Sequence, residues 1–128
     1  MQDRREVLGL AAAGVFASVA PAALATDVEK KPLYGLIGQM LAAPGKRDEL
    51  LAILSESTDG MPGCLSYIVA KDAANPDALW ITEVWDSPES HKASLQLPQV
   101  RAAITKARPI IAGFPQHFET EPVAGVGR

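Results

Sequence analysis

Both tryptophans of the 128-residue chain fall in one run, Trp80-Ile-Thr-Glu-Val-Trp-Asp-Ser-Pro-Glu-Ser-His91. Its first half alternates as a strand does, so Trp80 and Val84 leave one face while Ile81, Glu83 and Trp85 leave the other. Its second half starts a helix. Ser87 supplies an N-cap hydroxyl, and Pro88 suits the first helical position, where an N–H has no partner to lose. A strand running straight into a capped helix leaves the backbone few choices. It also gathers a carboxylate, an indole and an imidazole in a chain with 5% aromatic residues and two histidines, so a functional site is expected here first.

Other elements arrange themselves around this unit. Leu33–Leu41 reads as a strand bounded by Pro44-Gly45, and Lys46–Ser57 as a helix with Leu50, Leu51 and Leu54 on one buried face. Gly60-Met-Pro-Gly63 is turn chemistry. Cys64–Lys71 and Leu79–Trp85 read as strands of a hairpin closed by the polar Asp72–Asp77 connection. Leu97-Pro98 interrupts the helix begun at Pro88, because proline restricts the residue before it. Val100, Ile104, Ala107 and Ile111 carry a second helical piece to about Arg108-Pro109, and Gln116–Glu121 is the last strand.

The order is β-α-β-β-α-β, an α+β chain with a split βαβ pattern. Right-handed crossovers put both helices on one face of a single antiparallel sheet and leave the other face bare. Leu33, Ile37 and Leu41 point one way from the first strand, and Tyr34, Leu36 and Met40 the other, so neither face is polar enough to be solvated. A homodimer with two sheets packed together is the expected solution.

The first fifth of the chain reads differently. Arg4-Arg5 precedes an uncharged, apolar stretch from Val7 to Leu24 that closes on Ala23-Leu24-Ala25, the pattern of an export signal cleaved after Ala25. The paired arginines followed by Val7-Leu8 resemble a twin-arginine signal; the same charges also serve ordinary unfolded export. As an uncleaved anchor the stretch is barely long enough, since spanning takes about 20 residues, and Gly9, Gly14 and Pro21 interrupt it. The reading is thus a signal over 1–25, a tether over 26–32, one domain over 33–121 and a tail over 122–128, with a periplasmic or secreted product and no stable membrane anchor after cleavage.

A net charge of −3 without basic runs argues against nucleic acid as a partner. Cys64, the single cysteine, permits no intrachain disulfide and no thiolate metal cluster, and reads as a small apolar thiol. No phosphate loop, dinucleotide turn or nucleophile elbow is present, and the two histidines lack metal-ligand spacing, so neither a cofactor nor a metal is expected.

Gly63-Cys-Leu-Ser-Tyr67, Leu79-Trp-Ile-Thr-Glu-Val-Trp-Asp-Ser87 and His91 together resemble the antibiotic biosynthesis monooxygenase family, and within it the small bacterial quinol monooxygenases. The resemblance runs from about Leu33 to Glu121, and the Glu-x-Trp of the third strand is its most specific part. It implies a ferredoxin-like protomer paired into a dimeric α+β barrel. It also implies oxidation of a quinol, phenol or polycyclic aromatic by O2 without flavin, haem or metal. Where much of the family carries a histidine further along the helix after the third strand, this chain has Ser94 and Leu95. A non-catalytic dimer that binds small hydrophobic ligands, and a haem-binding or haem-degrading protein with His91 as axial ligand, are the alternative functions.

The candidate catalytic residues are Glu83 as proton acceptor and His91 as proton shuttle; Trp85 and Tyr67 are the candidate substrate contacts. Each has a plainer reading: Glu83 as a hydrogen-bonding strut, Trp85 and Tyr67 as core aromatics, His91 as a surface residue near a helix start. His117 reads as structural or dimer-facing, Tyr34 and Trp80 as packing or interface, and Arg101 as a solvated helix charge that could otherwise steady an anionic substrate.

Overall fold

The computed structural model describes residues 31–125; the expected signal over 1–25 and nearly all of the tether lie outside the described residues, as does the end of the tail. The elements are β1 (Tyr34–Ala42), α1 (Arg47–Glu56), β2 (Cys64–Lys71), β3 (Ala78–Trp85), α2 (Pro88–Ser94), α3 (Pro98–Ala107), a 3-10 turn (Arg108–Ile110) and β4 (Ile111–Thr120). All strand pairs are antiparallel, in the order β2-β3-β1-β4. That is the ferredoxin-like α+β arrangement the element order implies, an open sheet with its helices on one face. Among the described residues no helix is long and apolar enough to cross a membrane.

The core forms where α1 and α3 lie on the sheet. Leu50, Ile53 and Leu54 of α1 meet Leu79 and Ile81 of β3, Ala42 of β1, and Ala103 and Ala107 of α3. The two buried alanines let α3 sit close, and its larger apolar residues do not join the core: Ile104 is exposed and Val100 half-buried. The apolar stripe of α3 therefore borders open space.

Two elements differ from the sequence reading. The last strand begins at Ile111, five residues before the expected Gln116, so Ile111 belongs to a strand and not to the helical stripe. Arg108-Pro109-Ile110 tightens into the 3-10 turn, after which Ile111 pairs with Ala42 and Gly113 with Leu41, across register shifts in β1. Gly113 and Pro115 disguise this half of β4. Proline is accepted because β4 is an edge strand whose outer N–H groups have no partner strand.

Local chemistry fixes the junctions. The Ser87 hydroxyl accepts from the Ser90 N–H at 3.1 Å and caps α2, with Pro88 at its start. Gly63 adopts a φ of 84°, open to glycine at little cost, and a side chain there would collide with Ser90 and Asp86. The start of β2 can therefore lie directly on the β3–α2 corner, where the Asp86 N–H donates to the Gly63 carbonyl at 2.9 Å.

At the far end of the hairpin, Asp72 is the hub. Its Oδ1 accepts from the N–H groups of Ala74 and Asn75 at 2.8 and 2.9 Å. Its Oδ2 accepts from Trp80 Nε1 at 2.8 Å and Gln39 Nε2 at 3.0 Å. Arg47 Nη1, at the start of α1, donates to the carbonyls of Asp72, Asn75 and Ala78, tying the helix to the hairpin loop.

The uncovered face carries Ile37, Ile68, Trp80, Val84 and Phe118, with Ile68 57% and Phe118 52% exposed. Trp80 is held on this face by Asp72, away from the helices.

The N–H groups of Asn75 and Ala74, joined by Trp80 and Gln39, hold the Asp72 carboxyl down at about 2. A depressed carboxyl contributes stability that is complete above the ordinary aspartate range and drains away as the pH falls through the folded value. Denaturant midpoints of the wild type are therefore expected to drop between pH about 4 and about 2. Asp72→Asn is expected to start lower at neutral pH and to lose this slope; parallel pH profiles would contradict the hub role of Asp72.

Candidate active site

Alternation in β3 puts Leu79, Ile81, Glu83 and Trp85 on the helix-covered face. Three of the four are buried hydrophobic residues, and the carboxylate goes with them. The strands beside it complete a row: Tyr67 of β2 and Leu36 of β1 stand opposite Glu83, and Glu119 of β4 stands opposite Leu36.

The Glu83 side chain is 15% exposed. Trp85 Nε1 donates to Glu83 Oε1 at 2.8 Å, and His91 Nε2 lies 3.8 Å from the same oxygen. Oε2 accepts no hydrogen bond from the described residues, yet it is not sealed away from open space. One oxygen is anchored by an indole and the other is left without a partner among the described residues. Burial pushes the Glu83 carboxyl above the ordinary glutamate range, opposed by the Trp85 hydrogen bond and the fields of His91 and His117.

The void is a cleft of about 640 Å³ between the sheet and α3. Glu83 and Tyr67 line it with Met40, Ile81, Val100 and Ile104, while Phe114 and Arg108 border its β4 side. Such a volume suits a two- or three-ring aromatic, and the wall is mostly apolar with a few polar groups. A smaller space of about 140 Å³ adjoins it, also lined by Glu83 and Phe114, and bounded by Gly38 and His117. Gly38 lies between Ile81 and His117 in the register, and its missing side chain keeps this space open.

The four sequence candidates do not all reach the cleft. Glu83 and Tyr67 line it. The Tyr67 hydroxyl makes no hydrogen bond among the described residues, and burial, with Glu83 and Cys64 nearby, pushes its pKa well up, so it stays a donor. Trp85 is 1% exposed and does not line the cleft, though it is bonded to Glu83, which does. His91, 24% exposed, lies against Glu83 Oε1, its ring edge-on to Trp85 at 5.4 Å and tilted against Tyr34 at 5.8 Å. It does not line the cleft. Tyr34 in turn donates to Glu119 Oε2 at 2.9 Å.

Trp80 and Arg101 lie outside the cleft, and Cys64 is half-buried with its thiol directed at the Ser66 carbonyl at 3.6 Å. Sequence reasoning passed over Arg108 and Phe114. The misplaced start of β4 hid them, since Phe114 is legible as a cleft residue only once Ile111–Pro115 is a strand. Among the described residues, no three His, Cys, Asp or Glu side chains gather closely enough to hold a metal ion.

With this geometry in hand, the relatives are informative. Residues 33–106, more than half of the chain, match the family Antibiotic biosynthesis monooxygenase, and the chain belongs to that family. A Chloroflexus aurantiacus structure described as a candidate antibiotic biosynthesis monooxygenase is 64% identical. It superposes with a TM-score of 0.72, over 74% of this chain and 97% of that one. A Caulobacter crescentus structure of the same description gives 0.64 at 19% identity, over 79% and 99% of the two chains. A Pseudomonas aeruginosa structure gives 0.66 at 16%, over 74% and 98%. These last two share the fold. No curated protein matches the chain. Family and neighbours together support a monooxygenase-type function.

A carboxyl raised by burial costs stability once it ionises: its contribution is complete below the ordinary glutamate range and is lost as the pH rises through the folded value. Glu83→Gln keeps an oxygen for the indole and removes the charge, so it should melt above the wild type at neutral pH and level with it in acid. Equal melting temperatures at neutral pH would show that the carboxylate is not under strain. Trp85→Phe removes the hydrogen bond that favours the charged form, so a carbon-13 titration of Glu83 should move further upward.

Proposed function

We propose that the protein is a cofactor-independent monooxygenase that oxidises a quinol, phenol or polycyclic aromatic with O2, working as a homodimer. The observation that carries this reading is Glu83, a largely buried carboxyl raised by burial, lining an apolar cleft with Tyr67 while Trp85 engages only its Oε1. A base tuned upward toward neutrality is suited to taking a phenolic proton.

For a naphthol-type phenol the steps balance. The hydroxyl gives its proton to Glu83 Oε2, and the phenolate passes one electron to O2, leaving a phenoxyl radical beside superoxide. The pair couples at a ring carbon, and the proton on Glu83 returns to the resulting peroxide. Loss of the ring hydrogen as a proton then cleaves the O–O bond, releasing water and leaving a quinone. The apolar walls exclude water and keep the radical pair together, and Tyr67 offers a hydrogen bond to a substrate oxygen.

In this scheme Trp85 is a positioning residue: its indole holds Oε1 and so turns Oε2 to the substrate. His91 contacts the carboxylate from outside the cleft, where an imidazole can pass protons between Glu83 and solvent. That position does not suit a haem axial ligand, which has to face the bound group. The bare sheet face, with Ile68 and Phe118 exposed, is the surface we assign to the dimer. We further propose export to the periplasm or beyond, with cleavage after Ala25; mass spectrometry of the mature N-terminus tests it.

Oxygen uptake with a naphthol or menadiol is the direct assay. Glu83→Gln is expected to lower kcat by about 10²–10⁴-fold, the usual worth of a positioned general base. A rate equal to the spontaneous background, or one indifferent to Glu83→Gln, sinks the reading; melting shifts without oxygen uptake would instead identify a binding protein. Light scattering should give a dimer for the wild type, weakened in Phe118→Asp, and a monomeric wild type at micromolar concentration would contradict the assembly.

A further inference from the structure

The residues lining the cleft include one acidic and one basic, Glu83 and the exposed Arg108. They lie at different levels of the sheet. Glu83 pairs across the sheet with Leu36, whereas Arg108 opens the 3-10 turn whose Ile110 carbonyl accepts from the Ala43 N–H and whose successor Ile111 pairs with Ala42. Roughly six residues of β1 separate the two levels, on the order of 20 Å of backbone at strand rise, which both side chains shorten by reaching inward. The wall between them is apolar, with Met40, Ile81, Val100, Ile104 and Phe114.

Arg108 is also uncommitted. Neighbouring Lys106 is engaged by Glu56 at 3.0 Å, but among the described residues Arg108 makes no ion pair and its guanidinium donates no hydrogen bond. The carbonyls ending α3 place only a partial negative charge behind it, too little to cancel a full cation.

We propose that Arg108 is a specificity-determining residue that selects an anionic aromatic substrate: a fused-ring phenol bearing a carboxylate at the end remote from its hydroxyl. Two charges of opposite sign at different levels of an apolar slot set the orientation. Glu83 repels the substrate carboxylate, Arg108 offers it a two-pronged charge-assisted contact, and the hydroxyl is thereby delivered to Glu83 Oε2. This assignment rests on the reading of Glu83 as the base, but the ligand preference it implies is measurable without turnover.

The test is anaerobic calorimetric titration of the full mature chain with 6-hydroxy-2-naphthoate and, separately, neutral 2-naphthol. The acid is expected to bind the wild type about tenfold or more tightly, as a charge-assisted contact would give. Arg108→Leu should abolish that preference with 2-naphthol affinity kept, and Arg108→Lys should retain part of it. Equal affinities in the wild type, no binding of the acid, or a preference that survives Arg108→Leu each overturn the assignment. Adding O2 then separates the two ideas: a retained preference without oxygen uptake sinks the monooxygenase reading and leaves the anion site standing, and uptake without a preference does the reverse.

Discussion

Successive side chains of a strand leave opposite faces, and in β3 this rule binds a carboxylate to the hydrophobic core. Leu79, Ile81 and Trp85 are among the most buried residues of the protein, so the register of β3 cannot slip without exposing all three. Glu83 stands between Ile81 and Trp85, and only 15% of its side chain is exposed. The fold thus holds an ionisable group where ionisation is costly, and the apolar burial around it, worth about 1.5–3 kcal/mol for each large side chain, keeps it there.

Space below the helices follows from where the bulk is placed. Ala103 and Ala107 bring α3 down onto the core at one side, while Val100 and Ile104 of the same helix border the cleft. Natural cores are packed nearly without voids, so an opening of this size beside a buried carboxylate is a departure from ordinary packing. The charge distribution agrees: Trp85 and His91 both stand at one oxygen of Glu83, and the second is left without a partner among the described residues. Strain at a single buried group is the kind of cost that a functional site retains and a purely structural one removes.

The other face of the sheet shows the complementary problem. Ile68 and Phe118 stand largely exposed, while Trp80 and Gln39 are pinned there by the Asp72 carboxylate. The indole that the sequence places two residues before Thr82 is therefore a feature of the outer surface, and Trp85 alone serves the buried side. Two tryptophans five residues apart do different work because an odd spacing on a strand separates faces.

Much of this was legible from residue order. The strand-to-capped-helix corner at Trp85–Pro88, the hairpin of β2 and β3, the pairing of Glu83 with Trp85 on one face and the bare second face all follow from period-two alternation and from turn and capping chemistry, which are local rules. The family resemblance rests on the same residues. What local rules could not give is which side chains share a space. Gly113 and Pro115 hid the first half of β4, because an edge strand tolerates residues that a sequence pattern scores as loop. That Glu83 and Tyr67 line one cleft with Ile104 of α3, Arg108 and Phe114 of β4 was decided only by packing of α3 and β4 against the sheet. Such contacts join residues far apart in the chain, and no periodicity records them.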